Sequence, residues 1–141
     1  MKRRDLLLFA AAIAATPVSA LAGGSGMVDF DDSDPIQTAL DQGKTVFVDY
    51  ATDWCSTCAR QERVINALRA QNPDYDTNIV FVRVDWDDFA NAPVSTSRNI
   101  PRRSTLIVLK GDVELGRIVA GTGESEIKSL MDTALNAATS S

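Results

Sequence analysis

The sequence predicts an α/β fold, one central mixed β-sheet with helices on both faces, and three observations lead to it. Three short runs, TVFVDY at 45–50, IVFVRVD at 79–85 and TLIVL at 105–109, are β-branched or aromatic and almost wholly apolar, as strands buried on both faces are. The segments between and after them place apolar residues at helical spacing. The third run meets a fourth, 113–119, across Lys110-Gly111-Asp112, and so short a link makes the two antiparallel neighbours. The resulting order, (β)αβαβ(α)ββα, fits helices packed on both sides of a mixed sheet.

Each element follows from its residues. A short strand is possible at 27–30. Ser33-Asp34-Pro35 reads as an N-cap and helix start, with Pro35 where its missing N–H does little harm, and Gly43 stops that helix near Gln42. After the strand at 45–50, a helix over 55–70 carries Ala59, Val64, Ile65 and Leu68 inward and Arg60, Glu62, Arg63 and Arg69 on its other faces. Asn72-Pro73-Asp74 ends it. Following the strand at 79–85, residues 87–98 read as a loop with a short helix. Trp86 is expected to pack in the core or at its edge, and Asp87 and Asp88 to be solvated; calcium would need more oxygen ligands at regular spacing. The chain closes on an amphipathic helix over 124–137, built on Ile127, Leu130, Met131 and Ala134, with 138–141 fraying.

With 141 residues, 45% hydrophobic and 23% charged, the chain is sized for one ordinary globular domain. Its first residues are of another kind. Lys2, Arg3 and Arg4 precede an apolar run at 6–15, and Ala20-Leu21-Ala22 offers a small-x-small exit. That is the pattern of a secretory signal peptide, and the run is too short for a comfortable membrane span. Arg3-Arg4 before Leu6-Leu7 also resembles a twin-arginine export signal. The expected organisation is a signal peptide at 1–22, a flexible leader with the first short strand at 23–33, and the folded domain at 34–138. Without residues 1–22 the chain keeps 11 basic and 18 acidic side chains, a net charge of −7. Such a domain is repelled by phosphate backbones and anionic membranes, which argues against nucleic-acid binding.

The only two cysteines stand in TDWCSTC, at Cys55 and Cys58. As a structural staple they would close so small a loop that the gain is only about 2 kcal/mol. As a zinc clip they fall short of four ligands, since the chain has no histidine, although Asp53 or a second subunit could contribute. Two thiolates do suit copper(I). A reactive dithiol explains more of the context. The pair follows a buried strand and opens a helix, where free N–H groups and the helix dipole stabilise a thiolate on Cys55. Cys58, one turn inward, can attack a mixed disulfide formed by the first sulfur. The lack of histidine removes Ser-His-Asp schemes. A dithiol exchanger, a copper(I)-binding protein in metalloprotein assembly and an inactive interaction module are the three readings, in that order.

VFVDYATDWCSTC followed by a helix, with TLIVLKGDVELGRIVAGT further on, resembles the thioredoxin family, and is similar to the periplasmic thioredoxin-like domains of bacterial disulfide reductases. The resemblance covers roughly 36–135. It implies a thioredoxin-like fold and an exported, periplasmic thiol–disulfide oxidoreductase, more reductant than oxidant. That enzyme would be a monomer needing no cofactor beyond its cysteines. It would act on protein or small-thiol disulfides and exchange electrons with a membrane or periplasmic redox partner. It makes Cys55 the attacking and Cys58 the resolving cysteine, and Trp54 the tryptophan covering one side of the pair. Asp49 matches the family's buried aspartate, which moves the proton of the second cysteine. A carboxylate in so apolar a strand should hold its proton tightly when buried. Arg83 falls near the lysine that partners that aspartate and would favour its charged form. Asp49 could instead be exposed at the strand end.

One family feature is missing. The cis-proline that faces the cysteines is replaced by Ser104 if the strand is matched by Thr105-Leu106, or by Pro101 if three residues are inserted. The ungapped register is the simpler, and a non-proline Arg103–Ser104 bond would then be trans. The change bears on substrate docking and on keeping metal from the pair. Arg102-Arg103 stands beside the predicted site in either register. The two are solvated loop residues, or Arg103 stabilises the Cys55 thiolate or docks an acidic partner.

Overall fold

The computed structural model describes residues 26–140; the expected signal peptide at 1–22 lies outside them. Strand β1 (Val28–Asp29) leads to helix α1 (Pro35–Asp41), strand β2 (Thr45–Ala51) and helix α2 (Ser56–Gln71). Helix α3 (Asp74–Asn78), strand β3 (Ile79–Asp85) and the short helices α4 (Trp86–Phe89) and α5 (Pro93–Thr96) follow. The hairpin of β4 (Thr105–Lys110) and β5 (Val113–Val119) precedes the closing helix α6 (Glu124–Thr139). The sheet order is β1-β3-β2-β4-β5, parallel from β1 to β2 and antiparallel from β2 to β5. The mixed sheet expected from the sequence is therefore the one formed.

Some details differ. Pro73 does end α2, but Asp74 starts a further turn of helix, in which Asn72 Oδ1 accepts the Asp74 N–H at 3.1 Å and Tyr75 is buried. Residues 87–98 hold two short helices rather than one, the first starting at Trp86. The last helix does not fray at 138 but runs to Thr139. At the start, the Asp34 carboxylate accepts the Gln37 N–H at 3.0 Å, and Gly43 leaves α1 with φ of 76°, a conformation that glycine adopts without a Cβ clash.

Strand β2 lies between β3 and β4, and all seven of its residues are buried. Its alternate side chains therefore serve two cores. Phe47 joins Ile65, Leu68, Phe81, Leu106, Ile127 and Met131 under α2 and α6. Val46, Val48 and Tyr50 join Ile36, Val82, Val94 and Ile107 under α1 and α5. Asp49 shares its side with Phe47, and Ala51, two residues on, packs against Cys55 and Cys58. The sheet thus delivers a carboxyl and the cysteine pair to one face, at the C-terminal end of the central strand.

Candidate active site

Cys55 is the N-cap of α2: its φ and ψ are −87° and 113°, and its sulfur accepts the Cys58 N–H at 3.2 Å. This is the place where a helix leaves donors unpaired and favours negative charge. Both cysteines are free thiols and nearly buried, at 5% and 1% exposure. Burial pushes the Cys55 thiol up, but hydrogen bonds from the Cys58 thiol, Ser104, the Cys58 N–H and Arg103 outweigh it, and its pKa falls to about 7. Burial, reinforced by Cys55, pushes Cys58 up instead. The two thiols are coupled, and the order of acidity is what matters: the outer sulfur ionises first. A nucleophile one turn ahead of a protonated partner is the arrangement for attack followed by resolution.

Ser104 stands between the sulfurs, its Oγ 3.2 Å from Cys55 Sγ and 3.0 Å from Cys58 Sγ. Pro101 is exposed, so the ungapped register is the one that brings a residue to the pair. No peptide bond among the described residues is cis, and Ser104 has φ of 63°.

Asp49 is fully buried, and neither carboxylate oxygen has a hydrogen-bond partner. Burial above all, with repulsion from Glu62, raises its pKa to about 7, and the positive charge of Arg83 only partly opposes this. The expected Arg83–Asp49 pair does not form. Although the two residues are register partners in the parallel β2–β3 pair, the Arg83 guanidinium reaches Asp53 at 2.9 Å. Asp53 is almost wholly in water, which pays no desolvation for ion pairing, whereas Asp49 would have to be ionised in an apolar layer. Burial therefore decides the protonation of Asp49.

Trp54 precedes the pair and is 63% exposed. Its indole N–H donates to Asp87 Oδ2 at 2.9 Å, and the Arg103 guanidinium stacks on its ring at 4.4 Å. Asp87 is thus not the purely solvated acid its sequence context suggests. Arg103 lies against both Trp54 and Cys55, and its Nε has no partner. Arg102 turns away, with Nε donating to the Arg103 carbonyl at 3.0 Å.

One residue of the site escapes the sequence reading. Gln61 on α2 is fully buried, and its amide donates to the carbonyls of Ser104 and Gly121, each at 2.9 Å. A signal was present. The inward stripe of α2 is Cys58, Gln61, Ile65 and Leu68, not the stripe starting at Ala59, and a glutamine on that stripe needs buried partners.

Similarity to known proteins agrees with this geometry. A thioredoxin-like family model matches residues 31–105, more than half of the chain. The thioredoxin of Echinococcus granulosus is 27% identical over 100 residues, covering 71% of this chain and 87% of that protein. The crystal structure of Trxlp from Edwardsiella tarda EIB202 superposes with a TM-score of 0.62 at 28% identity, covering 73% of this chain and 97% of that one. Thioredoxin NaTrxh from Nicotiana alata gives 0.58 at 28% identity, over 73% and 87% of the two chains. The chain belongs to the thioredoxin-like family, and its Cys55–Cys58 pair is the dithiol of a thiol–disulfide oxidoreductase.

Proposed function

We propose that this protein is an exported, monomeric reductant of protein disulfides, acting through Cys55 and resolved by Cys58. The observation that carries the reading is the unequal dithiol: a Cys55 thiolate available near neutral pH at a helix start, with a buried, protonated Cys58 one turn behind it. In the first step the Cys55 thiolate bonds to one substrate sulfur. The substrate S–S bond breaks, and the other sulfur leaves as a thiolate with the bonding pair. Cys58 then gives its proton to Asp49, whose pKa of about 7 suits a base at neutral pH. The Cys58 thiolate attacks Cys55, the second substrate sulfur departs, and Cys55–Cys58 is left as a disulfide. The substrate gains two electrons and leaves as two sulfurs, one protonated by the proton that passed through Asp49 and the other by solvent, which took up the Cys55 proton when that thiol ionised.

Arg103 holds positive charge beside the attacking sulfur and, with Trp54, forms the rim a substrate meets first. Ser56-Thr57 has neither the histidine that strongly oxidising relatives carry between their cysteines nor the Gly-Pro of reducing ones, so the direction of electron flow follows the likeness to reductase domains. Export rests on the pattern at 1–22 and implies a periplasmic redox partner that recharges the dithiol. Among the described residues no helix is long and apolar enough to cross a membrane.

The test is the reduction potential of the pair, titrated in glutathione buffers and read by mass. A value at or below about −250 mV is expected of a reductant; one between about −120 and −180 mV would make the protein an oxidant or isomerase. A pair that fails to exchange yet retains one copper(I) per chain would replace the enzyme by a metal-binding protein.

A further inference from the structure

Ser104 is held in a conformation that a serine adopts at a cost. Its φ of 63° lies in the left-handed region, where a side chain is disfavoured by about 1–2 kcal/mol and glycine is the ordinary solution. The surroundings leave it no alternative. Its N–H donates to the Tyr50 carbonyl at 2.7 Å, and its own carbonyl accepts the Ala120 N–H at 2.8 Å and the Gln61 amide at 2.9 Å. Three elements, β2, α2 and the turn after β5, thus clamp one residue. A glycine would satisfy every one of those bonds with less strain. What the serine adds is a hydroxyl, fully buried between two sulfurs.

A hydroxyl has one hydrogen and two lone pairs, so it donates to one sulfur and accepts from the other. The neighbours decide which. Cys55 is the sulfur that already accepts the Cys58 N–H and lies at the helix start, with Arg103 beside it. Cys58 has moved one turn inward, away from that end. The low-cost arrangement is therefore Ser104 O–H to the Cys55 thiolate, with the single Cys58 S–H hydrogen shared between Ser104 Oγ and the Cys55 sulfur it also faces. The reverse would place the charge on the more deeply buried sulfur.

We propose that Ser104 is the positioning residue that divides the labour of the two cysteines, donating its single hydrogen to Cys55 and accepting that of Cys58, with Gln61 holding it in place. This deepens the exchange reading of the site and rests on it for its biological meaning, though the hydrogen-bond claim can be tested without any substrate. The assignment also accounts for Gln61. A buried glutamine on the inner stripe of α2 ties the helix that carries both cysteines to the Ser104 backbone, so the hydroxyl and the sulfurs keep their register. Other groups also act on the pair: Arg103 from the segment before β4 favours the Cys55 thiolate, and Asp49 from β2, itself influenced by Glu62 and Arg83, opposes it when ionised.

The experiment uses the reduced protein alone. Thiolate absorbance near 240 nm and alkylation by limiting iodoacetamide are followed against pH, with peptide mapping to count label on each cysteine. The variants are Ser104→Gly, Ser104→Ala and Gln61→Met. Ser104→Gly removes the hydroxyl and relieves the left-handed strain, so its melting temperature should equal or exceed that of the parent. Its Cys55 titration should move up by about one pH unit, slowing alkylation below neutrality by about tenfold, and the preference for Cys55 over Cys58 should narrow. Gln61→Met should shift the same midpoint in the same direction by a smaller amount. A purely structural role moves melting temperature and leaves the midpoint alone. An unchanged midpoint and unchanged labelling preference in Ser104→Gly, or in Ser104→Ala should the glycine variant not fold, overturns the proposal. Failure of the parent protein to reduce insulin disulfides would sink the exchange reading while leaving this result intact.

Discussion

The two sides of β2 carry cores of different character. Under α1 and α5, Val46, Val48, Tyr50, Val82 and Ile107 form an apolar layer whose one phenol is satisfied, with the Tyr50 hydroxyl donating to the Val94 carbonyl at 2.7 Å. Under α2, the same strand buries Asp49 with both oxygens unpaired, and nearby are Gln61, with an unpaired Oε1, and Ser104 against two thiols. A buried polar atom without a partner costs about 1–3 kcal/mol. Helix α5 carries one such atom, Ser95 Oγ; the α2 side gathers several, where the chemistry needs groups with displaced proton affinities. The strand joining them gives the reactive side a rigid platform.

That contrast can be broken most strongly at Asp49. Its pKa is about 7 folded against about 4 in an unfolded chain, so its contribution to stability is complete below pH 4 and is lost as pH rises through 7. The ionised carboxylate then costs the fold up to about 4 kcal/mol. Asp49→Asn should remove this dependence. Urea unfolding of the two proteins across pH 4–8 should show the variant gaining stability relative to its parent over that range, and a constant difference would refute the account. The same variant should slow resolution of the mixed disulfide by about a hundredfold, read by quenched mass spectrometry, because the base is gone.

A cavity on the other side sharpens the comparison. Ile107 is fully buried there, and Ile107→Ala should cost about 2–5 kcal/mol. If the two layers are separate in function, the Cys55 thiolate should titrate at its parental midpoint. A shift would mean that packing under α1 and α5 also sets the dithiol. The smallest change expected is Tyr50→Phe, which removes the hydrogen bond to Val94 at a cost of about 1 kcal/mol and should leave exchange rates unaltered. The same burial that makes this bond count pushes the phenol up to about 12, so no pH dependence should accompany it below pH 10.

Most elements are legible in the residues because their causes are local. TVFVDY can only be a strand buried on both faces, Lys110-Gly111-Asp112 permits only a tight reversal, and Pro73 stops α2. The missed turn at Asp74–Asn78 is stabilised by burying Tyr75, an event outside its own five residues. The same division runs through the site. Trp54, Cys55 and Cys58 fall in one short stretch, and their meaning can be read from a motif. Asp49 needed the sheet to show that it is buried rather than exposed at the strand end.

By itself the sequence determined which residues could react: two thiols three positions apart after a buried strand, in a chain without histidine. Spacing along a helix is set by backbone geometry, so that much follows from order alone. Only the tertiary structure decided how those thiols are tuned. Ser104 reaches Cys55 across 49 positions, Trp54 meets Asp87 across 33, and Arg83 chooses Asp53 over its strand neighbour Asp49. Those choices turn on which groups keep their water and which lose it, and desolvation is a property of the packed molecule rather than of any segment of it.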